Sequence, residues 1–295
     1  MEANSLSEFV RCIAKIRIDW PITEHKELWF RGERYEYKTE GTFLHPALYR
    51  RPKNLITLKP IHDLLKKEAD LYDDFKRCAV QLSDKITEGE NWNWDAYFLM
   101  RHHSAPTRLL DWTDGALIAL HFAIQRREID DDNDAIVYVL EPDLLKDRLE
   151  TLPDAAANIA AAKRYAKAHP NSDDFDEADS YLPPDTKEDG IQLPLPVPPM
   201  VLDFPHITRR VAAQRSRFVV LGSDPDWLSS RFDNGVDFPI KSIVIDGKNK
   251  KEIRQHLRDS GIVESVIYPD LDGLGREMLQ LFWEWRDQPI STSCV

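Results

Sequence analysis

The sequence predicts an α+β fold, a mixed central sheet flanked by helices, on three observations. Stretches with strand character alternate with stretches of helical periodicity along the chain. The run "DAIVYVL" (134–140) is continuously apolar, as a central strand covered on both faces would be. Later, "RFVVL", "KSIVID" and "VESVIY" read as strands, with the helix-patterned "KKEIRQHLRDS" between the last two, which suggests a sheet covered by helices.

The elements follow in order. "NSLSEFVRCIAKI" reads as a helix, with Ser5 or Ser7 as its N-cap ahead of Phe9, Ile13 and Ile16. "DWPITE" is a proline turn, and "ELWFRGE" a short strand, because Leu28, Trp29 and Phe30 favour a pleated, buried setting. "TFLHPALYRRPKN" is a basic, proline-interrupted loop. Across residues 61–86, Ile61, Leu64, Leu65, Leu71, Phe75, Ala79, Leu82 and Ile86 follow the roughly 3.6-residue period of a long amphipathic helix. "NWDAYFLMRHH" is a further helix, stopped by Pro106, and residues 114–127 form another that buries Ala116, Leu117, Leu120, Ala123 and Ile124. From 149 to 205 the character changes: an alanine-rich helix former, "DAAANIAAAKRYAKA", precedes an acidic run and the proline-rich "LPPDTKEDGIQLPLPVPPMVLDFP". That composition favours extended or partly disordered chain over a core. "GLGREMLQLFWEW" closes the pattern as a terminal helix. The expected organisation is an N-terminal helix (1–24), one domain (25–287) with 149–205 as an insertion or flexible connection, and a tail (288–295).

Composition narrows the function. The 295 residues are enough to bury a core without staples. A 31% charged content and mean hydropathy of −0.48 mark a soluble chain. Net charge of −12 argues against bulk nucleic-acid binding, though a local basic pocket is compatible with it. Cys12, Cys78 and Cys294 are scattered and in no metal-ligand spacing, which fits a reducing, cytoplasmic setting. Neither a secretory leader nor a membrane span is expected, since no basic start leads into an apolar run and no window nears ~18 apolar residues. A glycine-rich phosphate loop, a nucleophile elbow and a CxxC pair are all missing, against NTPase, α/β-hydrolase and zinc-finger readings.

Three clusters are more polar than a core requires. In "LWFRGE", Arg31 has its stem fixed by Trp29 and Phe30, and Gly32 permits close approach of a ligand or a second backbone. A fixed guanidinium recognises carboxylate or phosphate in two-pronged fashion; an ion pair to Asp111 or Glu33 is the structural alternative. In "RHHSAPTRLLDWTDGALIALHFAI" (101–124), His102 and His103 end one helix, and Thr113 or Asp111 caps the next, whose free N–H groups suit a phosphate. Trp112 stacks on a base or fills core; Asp111 serves the site or pairs with Arg108. Adjacent histidines point apart on a helix and lack a third ligand, so no metal is expected. In "HITRRVAAQRSRFVVLG", Arg209, Arg210, Arg215 and Arg217 surround Gln214, a local anion site or a solvated face.

These blocks resemble the FRG domain family, named for its Phe/Trp-Arg-Gly motif, here "WFRGE". The family's "QHHGxPTRLLDWTxxPxxALxFA" block is similar to residues 101–124, its "RxxxQxGxF" to "RRVAAQRSRF", and its C-terminal "FPDLDGLA" to "YPDLDGLGREM". Arg101 stands where the family has Gln, and Ser104 and Ser216 where it has Gly. The layout is also similar to R-S-E type ADP-ribosyltransferases. That likeness implies an ADP-ribosyltransferase-like fold, with Arg31 gripping the phosphates of NAD, Thr113 orienting the nicotinamide ribose, and Gln214 near the reacting centre. Gln214 replaces the glutamate of that pattern, and a glutamine cannot act as a base. Gly32, His102, His103, Thr107, Arg108, Asp111 and Trp112 would complete the ligand site.

Three readings follow. The first is an NAD-dependent ADP-ribosyltransferase-like enzyme or NAD hydrolase, an effector of the toxin or phage-defence kind, with NAD as substrate and no metal. The second is a non-catalytic module for a nucleotide or phosphate-bearing small molecule. In the third, Arg31, Asp111 and His102 form a structural hub that fixes helix to sheet. The protein partner is left open.

Overall fold

The computed structural model describes residues 1–20, 26–51, 59–82, 92–128, 131–151, 177–183, 195–202, 208–233 and 238–287. Seven strands form one mixed sheet in the order β1-β7-β4-β2-β3-β6-β5: β1 (Glu2–Ala3), β2 (Trp29–Arg34), β3 (Leu109–Thr113), β4 (Ala135–Leu140), β5 (Met200–Leu202), β6 (Ser216–Val220) and β7 (Ile240–Ile245). All pairings are antiparallel except β1 with β7. The predicted α+β class, a mixed sheet flanked by helices, is the observed one. The helices are α1 (Leu6–Asp19), α2 (Tyr35–Thr39), α3 (Ile61–Leu82), α4 (Trp92–His102), α5 (Ala116–Ile124), α6 (Pro142–Thr151), α7 (Arg209–Ala213), α8 (Trp227–Asp233), α9 (Lys250–Asp259), α10 (Glu264–Ile267) and α11 (Leu271–Arg286).

Strand β4 is buried at every position, as its unbroken apolar run requires. Its alternation sorts the core: Val137 and Val139 join one cluster, Ile136 and Tyr138 another. One sheet face carries a single cluster that includes Trp29, Leu110, Trp112 and Val219. The opposite face carries two. α1, α5 and α9 cover β2, β4 and β7 through Phe9, Ala119 and Ile253. α3 and α4 cover β3 and β6 through Tyr72, Tyr97, Phe98 and Phe218. The boundary between these helix groups falls over β2 and β3.

Those two strands meet at a single bridge, Phe30 with Thr113, whereas β2 and β4 pair along six positions. Gly32 shows what holds β2 to its helix instead. A Cβ there would lie 1.9 Å from the Ala119 carbonyl oxygen of α5 and 2.6 Å from the Ala123 nitrogen. The close approach that glycine allows is therefore made by a helix backbone.

Several expectations change. "VESVIY" is not a strand: it holds the short helix α10, with Glu264 and Ile267 buried on one face. Helix α3 is seen to Leu82, and residues 83–86 of the predicted helix lie outside the described residues, as do the alanine-rich stretch and residues 288–295. Within 149–205, Tyr181, Leu182 and Leu202 are buried core, and β5 pairs with β6. The N-terminal segment contributes β1 to the sheet ahead of α1, whose N-cap is Ser5, accepting from the Glu8 amide at 3.2 Å. Among the described residues, no helix is long and apolar enough to cross a membrane.

Candidate functional site

The gap over β2 and β3 opens into a cavity of about 280 Å³. Its floor is the splayed strand pair, with Phe30, Arg31, Gly32, Asp111, Trp112 and Thr113. Its walls come from α4 (Phe98, Arg101, His102), Ser104, α5 (Phe122), α7 (Arg210, Val211), Gln214, β6 (Ser216, Phe218) and Tyr268.

The local chain explains each placement. Beyond the Phe30–Thr113 bridge the ladder between β2 and β3 stops, and the Arg31 guanidinium takes its place, donating from Nη1 to the Asp111 carbonyl at 2.7 Å. Its Nε donates to Glu33 Oε1 at 2.7 Å. Glu33 is itself sealed, accepting from the Leu44 amide at 3.1 Å and from Arg50 at 3.4 Å. Arg31 is thus locked at 12% side-chain exposure, one edge toward the cavity.

Asp111 pairs with Arg101, through both Nε and Nη2 of the guanidinium. Burial works to raise the Asp111 pKa, but the charge and hydrogen bonds of Arg101, with Arg31 nearby, outweigh it and hold the carboxylate below its ordinary range. The expected alternative partner of Asp111, Arg108, is elsewhere. His102 lines the cavity with its pKa lowered to about 4, by burial first and then by Arg210 and His103. It is neutral at pH 7 and contributes no charge.

Thr113 does not cap α5 as expected. The N-cap is Gly115, without a side-chain hydrogen bond. The Thr113 hydroxyl accepts from the Gly115 amide at 3.0 Å and donates to the Gln214 carbonyl at 2.7 Å, tying the end of β3 to the start of β6. Arg210 lies over the Tyr268 ring at 4.2 Å, and Arg276 lies at 4.2 Å from the same ring. Burial, followed by Glu264, pushes the Tyr268 phenol upward. Arg210 has no ion pair among the described residues, while Arg215 and Arg217 both pair with Asp114 outside the cavity lining.

Of the residues predicted for the site, Arg31, Gly32, His102, Asp111, Trp112, Thr113 and Gln214 line this cavity. His103, Thr107 and Arg108 do not. His103 is exposed at the end of α4, and Thr107 is fully buried, its hydroxyl accepting from the Leu109 amide at 3.3 Å. Arg108 is fully buried with Glu68, Nε to Oε2 at 2.6 Å, and also donates to the Leu221 and Tyr181 carbonyls. The Trp112 ring belongs to the apolar cluster on the far sheet face. Sequence reasoning passed over Phe98, Phe122 and Tyr268. Tyr268 lies inside the "YPDLDGLGREM" block, whose likeness to the family was the signal available for it.

The lining holds three guanidinium groups, Arg31, Arg101 and Arg210, against one carboxylate, Asp111. It contains no carboxylate without an arginine partner, so the chemistry it can perform is recognition and electrostatic stabilisation of negative charge, more than proton abstraction. Among the described residues no group of three or more His, Cys, Asp or Glu side chains is placed to hold a metal ion.

The model of the FRG domain matches residues 26–132, which hold β2, β3, α4 and α5. No curated protein and no solved structure matches the chain.

Proposed function

We propose, from the premise that this chain carries an FRG domain across residues 26–132, that the cavity binds a phosphate-bearing, nucleotide-type small molecule. One observation carries the reading. In a chain of net charge −12, three guanidinium groups line the cavity: Asp111 pairs with Arg101 and Glu33, behind the lining, with Arg31, while Arg210 has no ion pair among the described residues. Such a cluster recognises phosphate oxygens with strong charge-assisted hydrogen bonds. Phe98, Phe122 and Tyr268 add aromatic wall for a base or nicotinamide ring. Titration calorimetry with ADP and NAD tests this: saturable binding is expected, weakened at least about tenfold in Arg210→Gln. Heat-silent titrations with both, and with pyrophosphate, would exclude the reading.

A finer reading, NAD consumption, is favoured by the convergence of Arg31, Thr113 and Gln214 on this one cavity from β2, β3 and the C-cap of α7. Arg31 would hold the diphosphate, and Thr113 and Gln214 would hold the nicotinamide ribose while positive charge develops on it. Water or an acceptor group would then take the ribosyl carbon as nicotinamide leaves. Such turnover is the activity through which the chain would act as a toxin or antiviral-defence effector. Proton NMR of the full chain with NAD decides it. Free nicotinamide from the wild type, and none from a folded Arg31→Ala variant, is the expected result. Saturable binding without release leaves a non-catalytic binding module.

A further inference from the structure

The cavity wall at Tyr268 comes from a segment far along the chain from residues 26–132. Tyr268 follows α10 and leads into α11, and its backbone is fixed on both sides. Its amide donates to the Glu264 carbonyl at 2.7 Å, and its own carbonyl accepts from the Asp270 amide at 2.8 Å. Asp270 caps α11, accepting from the Gly273 amide at 2.7 Å. Gly273 packs so closely that a Cβ there would stand 2.0 Å from the Tyr268 carbonyl oxygen. The ring thus has a firm base, and Phe122 of α5 meets it edge to face at 6.2 Å.

Two guanidinium groups lie over that ring, each with its carbon 4.2 Å from the ring centre: Arg210 of α7 and Arg276 of α11. They differ in what balances their charge. Arg276 donates from Nε to Glu264 at 3.5 Å. Glu264 is 1% exposed at its side chain and also hydrogen-bonds to Gln280 and His121, at 3.0 Å each. Arg210 has no carboxylate partner among the described residues, and it springs from a helix of only five residues. A long, rotatable cation without an ion pair loses much freedom when it is held in one place. Stacking over an aromatic ring is the contact that gives such a cation a direction. Arg210 and Tyr268 line the cavity, whereas Arg276 does not. The Glu264 carboxylate therefore offsets the charge on the far side of this assembly, and the unbalanced charge stands on the cavity side.

We infer that Tyr268 and Arg276 are positioning residues: Arg276, braced by Glu264, steadies the Tyr268 ring, and the ring aims the Arg210 guanidinium at a phosphate group of the ligand. This role rests on the cavity being a phosphate site, as proposed above, and it makes α10 and α11, outside residues 26–132, part of that site.

Inorganic pyrophosphate is the probe, because it has no base and cannot report a lost stacking contact with the ligand. In titration calorimetry of the full chain, Tyr268→Leu should weaken pyrophosphate binding at least about fivefold and Arg276→Gln at least about threefold. Tyr268→Phe keeps the ring and should recover most of the loss. In an Arg210→Gln background the same substitutions should each change affinity by less than about twofold, since the group they position is gone. A loss that persists in that background signals a direct ligand contact or a general loss of positive field, and overturns the inference. Arg276 is 39% exposed at its side chain, so Arg276→Gln spares the core and carries the test if thermal melts show Tyr268→Leu to be unfolded. A wild type that binds pyrophosphate, loses it in Arg210→Gln and keeps it in both Tyr268→Leu and Arg276→Gln also overturns the inference, and leaves the cavity reading standing. A wild type that binds neither ADP nor pyrophosphate removes the cavity reading, and the positioning role with it.

Discussion

Arg101 and Arg108 leave the same short stretch of chain and each faces one carboxylate, yet their surroundings are opposite. Arg108 and Glu68 are both fully buried, at 0% side-chain exposure. Glu68 accepts from the Arg108 amide at 2.8 Å as well as from Tyr97, and the guanidinium also reaches the Leu221 and Tyr181 carbonyls. Burial alone would lower the Arg108 pKa, but Glu68 outweighs it and raises it. Nothing in that network faces solvent, and its work is to join α3, α4 and β3. Arg101 and Asp111, at 24% and 38% exposure, form the same ion pair at the cavity wall. Among the described residues the Arg101 guanidinium hydrogen-bonds to Asp111 alone. Identical chemistry serves structure where it is enclosed on every side, and recognition where one side is left open.

The largest effect should come from the sealed pair. Arg108→Ala strands the Glu68 charge and should destabilise the chain by about 3–5 kcal/mol in urea unfolding. Arg101→Gln should cost clearly less than Arg108→Ala, because the Arg101–Asp111 pair borders the cavity and is not enclosed on every side. The same variant should lose at least about tenfold in affinity for ADP. Equal stability losses at the two positions would break the comparison.

His102 sharpens it through pH. Its folded pKa of about 4 lies below the ordinary 6.5. Between those values the unfolded chain binds a proton that the folded chain does not, so stability rises with pH across the window and falls on acidification. His102→Gln should remove on the order of 1 kcal/mol of that dependence, allowing for the partly exposed ring. The lowered Asp111 pKa acts differently. It contributes stability that is present above the ordinary carboxylate value and lost as pH falls through the lowered one. Subtracting the variant's pH–stability curve from that of the wild type isolates the histidine.

The smallest effect belongs to Ser104, on the cavity rim with φ of 65°. That left-handed backbone explains why the family block has glycine there, and Ser104→Gly should stabilise by about 0.5 kcal/mol in thermal melts.

Much of the site was legible because its pieces are local. The strand bearing Arg31 and Gly32 was legible from its residue types and the helix from Ala116 to Ile124 from its periodicity, and both lie in blocks similar to the family, whereas residues 107–113 read only as a loop or short strand. Assigning partners was harder. Asp111 was weighed against Arg108 and Arg31, but it binds the Arg101 side chain, because β3 turns Asp111 toward α4 while Arg108 enters the core beside α3. The arginine-rich segment divided in the same way: Arg210 faces the cavity, whereas Arg215 and Arg217 turn to Asp114.

Sequence alone determined the α+β class, most helices and strands, and the density of polar groups around residues 101–113, because hydrophobic period and turn chemistry act over a few neighbours. Only the tertiary structure decided which arginine is sealed and which is open, that the backbone of α5 lies against Gly32, that residues 264–267 form a short helix, and that α11 turns its apolar side outward. Each of those depends on contacts between segments distant along the chain, and the local pattern of residues does not encode which surfaces will meet.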